Sequence, residues 1–242
     1  MLGIVTEVLA YPAALARLDL ARIAAELDTT FRAHGARTQA VPLDLTFASR
    51  RGTGAIASFV LESDRIARAV VSHVRVAPFF AGLALTVHPH PDRAAPLLVA
   101  DLMVLPTGAV RAFVDTCGPS IAEPMFSARY RDPLATVLDT ARGVRREPVP
   151  AWIAPLSGGA GGRIRARRGD GSPVVRTITR YVERYLDALD GAPEAKNADE
   201  NLAAARTVRD VFRAHGPASR YLGRAFGPAF TARYMKLLWR DD

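Results

Sequence analysis

The run Leu97-Leu98-Val99-Ala100-Asp101-Leu102-Met103-Val104-Leu105 carries apolar side chains at odd and even positions alike. A strand wetted on one face alternates apolar with polar residues. One without alternation is covered on both faces, so this run reads as a central strand with helices above and below, or with one face lining an apolar cavity. Asp101 interrupts it. An ionised carboxylate at such a place is costly, so Asp101 is either paired or held protonated by a raised pKa. Protonated, it is a proton donor; the alternative is a carboxylate satisfied by backbone donors or by an arginine.

On either side lie further β-branched runs: AIASFVLES (55–63), ARAVVSHVRV (67–76), LALTVH (83–88) and AVRAFVDT (109–116). Connections as short as Pro106-Thr107-Gly108 imply antiparallel neighbours. Upstream, Leu15, Leu18, Ile23, Leu27 and Phe31 fit an amphipathic helix over 12–34 that Gly35 ends. Downstream, helical spacing returns at 132–142, 174–189, 198–213 and 218–238. The third of these opens with Asn197 and Glu200, a capping-box pattern. This order predicts one domain over 1–242, a three-layer α/β/α sandwich around a central antiparallel sheet. The glycine-rich stretch 157–172 lacks the Gly-Lys-Ser/Thr ending of a phosphate loop and reads as a flexible loop.

Composition agrees with a globular chain: of 242 residues, 49% are apolar and 23% charged. No run of eighteen apolar residues occurs, and Glu7 interrupts the start before any leader pattern, so a cytoplasmic protein without a membrane span is expected. A single cysteine, Cys117, leaves no thiolate cluster for zinc or iron-sulfur. The net charge of +8 comes from the C-terminal hundred residues, with 141–180 at net +7 and 201–240 at net +7. A solvated arginine-rich surface explains this as well as a binding face does; if the face binds, its partner is anionic.

Of the five histidines, His34 and His215 sit at helix ends, where an imidazole complements the dipole. Ala84, Thr86 and His88 share one strand face. His88 and His90 make a His-x-His pair with no third ligand in view, so no metal is expected. His73, flanked by apolar residues, is expected in the same cavity as Asp101. Asp115, before Cys117-Gly118-Pro119, reads as a turn cap.

Two blocks carry a resemblance. LTVHPHPDRAAPLLVADLMVLPTGAVRAFVDTCGP, with Pro96, Asp101, Asp115 and Pro119, resembles the central strands of the ferredoxin-dependent bilin reductases. SRYLGRAFGPAFTARYMKLLWRD, with Arg220, Leu222, Ala225-Phe226-Gly227, Ala229 and Arg233-Tyr234-Met235, resembles the C-terminal helix of the phycocyanobilin-forming members. Pro150, Trp152 and Ser157 form a weaker third match. The resemblance implies a biliverdin-type linear tetrapyrrole between sheet and C-terminal helices. It also implies single electrons from an acidic 2Fe-2S ferredoxin, no bound cofactor, and radical chemistry in which Asp101 protonates the substrate. A monomer binding neither membrane nor nucleic acid is expected.

Further residue assignments follow from the same resemblance. Arg145 and Arg146 lie beside the family's propionate-binding arginine position, which itself falls on Glu147, and either arginine is expected to take that role. Where family members place a histidine partner to the aspartate stands Ala84, and where they place a glutamate stands Arg75, so His88 or His73 is expected to compensate. Gly216, beside His215, takes the place of an aspartate found in other members. Arg75, Ala84, Thr86, His215 and Arg220 complete the expected substrate contacts. With those partners missing, one two-electron step is expected. The rival readings are a reductase of another open-chain tetrapyrrole such as a chlorophyll catabolite, a bilin-binding protein without turnover, and nucleic-acid binding through GGRIRARRGDG. The last lacks interleaved aromatics for stacking.

Overall fold

The computed structural model describes residues 18–41, 47–48, 54–76, 80–118, 124–166 and 170–239. The strands are β1 (Arg37–Gln39), β2 (Phe47–Ala48), β3 (Gly54–Glu62), β4 (Ile66–Val76), β5 (Phe80–Pro89), β6 (Leu97–Val104), β7 (Val110–Cys117), β8 (Arg145–Glu147) and β9 (Gly162–Arg165). They form one antiparallel sheet in the order β1-β3-β4-β5-β6-β7-β9-β8, with β2 beside β1 along β3. The run around Asp101 is β6, inside the sheet as expected.

Side-chain alternation divides the core in two. Leu98, Ala100, Leu102 and Val104 of β6 point into one layer with α1 (Leu20–Ala33), α2 (Asp132–Asp139) and α3 (Ser172–Asp190). Helix α3 meets the sheet through Val174, Ile178, Tyr181, Val182, Tyr185 and Leu189, an apolar stripe at spacings of three and four. Val99 points the other way, toward α4 (Ala198–His215), α5 (Pro217–Phe226) and α6 (Pro228–Trp239), whose Phe212, Leu222, Tyr234 and Leu238 are buried there. The three-layer sandwich is therefore present.

The Asn197 start of α4 holds as expected, with its side chain accepting from Asp199 and Glu200 and its amide reaching the Glu200 carboxylate at 3.0 Å. Three expectations change. The helix expected over 12–34 is described from Leu20, and residues 12–17 lie outside the described set. The helix expected over 218–238 is two, α5 and α6, broken at Gly227, whose φ of 88° leaves the helical region. The stretch 157–172 is not a flexible loop where it is described. Gly162–Arg165 is β9, paired with both β7 and β8. Its glycines serve close approach: a Cβ at Gly161 would lie 2.2 Å from the Val114 carbonyl oxygen and 2.3 Å from Asp115 Cγ. Arg163-Ile164-Arg165 is strand alternation that short length conceals.

Asp115 fixes this turn. Fully buried, it accepts from its neighbour's amide, Thr116 N, at 2.8 Å and from the Ser157 hydroxyl. Burial nevertheless lifts its pKa to about 6. The expected cap of the turn at Cys117-Gly118-Pro119 is replaced by a brace on the 157–161 turn, and Pro119 lies outside the described residues. Among the described residues, no helix is long and apolar enough to cross a membrane.

Candidate active site

Directly opposed residues of antiparallel strands project from the same face. The register therefore lays Ser58, Ser72, Ala84, Asp101, Phe113, Arg163 and Glu147 in one transverse row beneath the C-terminal helices. The adjacent row runs Val74, Gly82, Met103, Arg111, Arg165, Arg145. Asp101 thus stands between Ala84 and Phe113, with small side chains to one side and cations two strands away.

Along β6 only Asp101 and Met103 retain partial exposure, and both lie on the α4–α6 face. Ala84 is half-buried as well. Solvent reaches the middle of a central strand only where the covering layer leaves a gap, so the partial exposure of Ala84, Asp101 and Met103 marks a gap beneath the C-terminal helices, which we read as a cleft. One wall is aromatic: the Phe212 ring lies 4.9 Å from Trp239, 5.1 Å from Trp152 and 6.1 Å from Phe113.

The Asp101 carboxylate accepts a hydrogen bond from the Phe113 amide at 3.1 Å. Burial raises its pKa to about 6, and the Phe113 amide offsets part of that rise. Desolvation wins because, among the described residues, no cation meets the carboxylate. It can therefore hold a proton near neutrality, and an apolar ligand closing over it drives the pKa further up.

At the sheet edge, Arg111, Arg165 and Arg145 occupy directly opposed positions on three adjacent strands, an arrangement of like charges that destabilises unless an anion joins it. Glu147 offsets part of it, lying 3.1 Å from Arg165 and 3.9 Å from Arg163. Sequence reasoning missed Arg111, Arg163 and Arg165. Their signal was parity: Arg111 shares its face with Phe113, and arginines alternate about Ile164.

The structure places the expected site residues as follows. Ala84 lies directly opposite Asp101 and Arg145 lies on the same face of the sheet. His215 is exposed at the end of α4, its ring 6.2 Å from Trp152. Arg220 belongs to α5, but its side chain lies outside the described set.

The remaining expectations need correction. His73 and Arg75 are out of phase with Ser72 and Val74, and they project into the α1 layer, away from Asp101. His73 is lowered in pKa by burial, against the attraction of Asp19 at the start of α1. Arg146 projects with Ile164 toward α2, where it bonds Asp139 at 2.8 Å and the Gly161 carbonyl at 2.8 Å. Thr86 and His88 do share the Asp101 face, but both reach the Leu238 carbonyl of α6, at 2.8 and 3.1 Å. A carbonyl only accepts, so His88 Nε2 carries its proton toward α6. At about 3.3 Å per residue, His88 stands about 13 Å along β5 from Ala84, too far to pair with Asp101.

Among the described residues, no group of three or more His, Cys, Asp or Glu is placed to hold a metal. No protein-family model matches the sequence, and no curated protein matches it. Among solved structures, it is similar to phytochromobilin synthase from tomato in complex with biliverdin, at 14% sequence identity and a TM-score of 0.68. The match covers 90% of this chain and 80% of that one, and the chain therefore has the fold of tomato phytochromobilin synthase.

Proposed function

We propose that this chain is a bilin reductase that binds a biliverdin-type tetrapyrrole in the cleft over β5 and β6 and reduces it with electrons from a reduced 2Fe-2S ferredoxin. The observation that carries the reading is Asp101: a carboxyl whose burial raises its pKa to about 6, under the gap beneath the C-terminal helices, in a fold whose tomato counterpart was solved with biliverdin. Reducing one double bond takes two electrons and two protons. The conjugated substrate holds the first electron as a radical and a second reduced ferredoxin supplies the second; Asp101 gives one proton to the reacting carbon, and solvent supplies the other and reprotonates Asp101. The aromatic wall fits the pyrrole faces, and the Arg111, Arg165 and Arg145 row fits two propionates.

Ala84 opposite Asp101 offers the acid no titrating partner from the neighbouring strand. We expect one two-electron reduction, and chromatography of the product checks it; a dominant four-electron product contradicts it. The same alanine favours a second reading, a bilin-binding protein without turnover. An absorbance titration with biliverdin, followed by anaerobic addition of a ferredoxin-reducing system, separates the two. A shifted band that decays to a shorter-wavelength product supports the reductase, a shifted band that persists supports binding alone, and no shift overturns both.

A further inference from the structure

Tyr234 of α6 is 1% exposed, and within the described residues its hydroxyl has Ser72 beside it but no well-formed hydrogen bond that takes up its own proton. It lies beside Ser72, whose hydroxyl is already engaged with Ser58 at 2.7 Å. A buried hydroxyl left unpaired is uncommon because it forfeits its bonds to water. Tyr130 and Tyr181 share that condition, but they belong to the other layer, sealed beneath α2 and α3. Tyr234 differs by its place: Ser72 is directly opposite Ala84, and Ala84 directly opposite Asp101. Two strand spacings, about 10 Å, separate the Ser72 and Asp101 backbones. The side chain between them is a single methyl group.

We propose that Tyr234, backed by Ser72 and Ser58, is a second polar anchor of the cleft that donates a hydrogen bond to a carbonyl of the ligand, such as a lactam oxygen, seated over Ala84. The inference rests on the bilin reading above. Burial raises the Tyr234 pKa to about 12, with Ser72 opposing the rise, so the phenol remains a donor at any working pH. The Ser58 and Ser72 hydroxyls can turn to donate toward the phenol oxygen, which strengthens the bond it gives onward. Asp101 and Tyr234 then hold a conjugated ring system from two sides of one alanine. That fixes which end of the molecule lies over the proton donor, and makes Tyr234 a residue that sets regiospecificity.

The test is a biliverdin titration of the wild-type protein, Tyr234→Phe and Ser72→Ala, with thermal melts of the unliganded proteins. We expect Tyr234→Phe to melt close to the wild-type temperature, because the proton it removes has no acceptor among the described residues, while binding biliverdin about tenfold more weakly with a displaced absorbance band. Ser72→Ala moves the band in the same direction by less. If wild type binds biliverdin and both variants match it in affinity and band, the inference falls and the bilin reading stands. A lower melting temperature for Tyr234→Phe with an unchanged band assigns a structural role and also overturns it. If wild type binds no biliverdin, the reading and the inference fall together.

Discussion

Asp101 and Asp115 both have folded-state pKa values near 6 against an ordinary 3.8, because burial disfavours their charged forms. A raised carboxylate pKa contributes stability below about pH 4, and that contribution is lost as pH rises through 6. Asp101→Asn removes the ionisation, so it should raise stability at pH 7.5 by on the order of 3 kcal/mol relative to wild type and have no such effect at pH 4. Denaturant titrations at the two pH values measure this, and an equal effect at both would refute burial as the cause. The same variant should still bind biliverdin, while turnover falls by about 100-fold or more. Asp101 was legible in the sequence because a lone carboxylate in a non-alternating strand has few affordable explanations. Tyr234 and Ser72 were not, since a buried tyrosine and a buried serine carry no pattern until α6 packs on the sheet and sets them side by side.

The C-terminal helices cover the site because α6 is fastened at its end, where Thr86 and His88 both reach the carbonyl of Leu238. Helix ends leave such carbonyls without intrahelical donors, and two β5 side chains satisfy this one. Thr86→Val should therefore destabilise the protein by about 1 kcal/mol, read by denaturant unfolding. His88→Gln should lower the melting temperature and leave the pH profile of reduction unmoved; a displaced profile would make His88 a proton donor to substrate after all. The long strands were legible as five β-branched runs. The breaks were not: Gly227 sits in a helical pattern continuous on both sides, and the two- and three-residue edge strands are too short to show a period. His73 and Arg75 were misplaced for a related reason, since parity assigns faces only when the register to a neighbouring strand is known.

Across the molecule, the sandwich followed from one helix, a run of strands and several helices, an order that leaves few alternatives. The charge imbalance was equally visible, but its meaning depended on β9, which brings Arg163 and Arg165 beside Arg111. Arg111→Ala with Arg165→Ala should weaken biliverdin binding at least tenfold, with a smaller loss for a bilin whose propionates are esterified. Equal losses for both ligands would separate the arginines from the carboxylates. Electron delivery from an acidic ferredoxin should slow as salt rises from about 0.05 to 0.2 M, the range over which screening of surface charge grows. The outermost strand β8 is three residues long and presents Arg145 and Arg146 at the rim of the sheet. A sheet margin so short and so cationic repels its own image, so the charges that would draw in a carboxylate also keep neighbouring copies from zipping strand to strand into fibres.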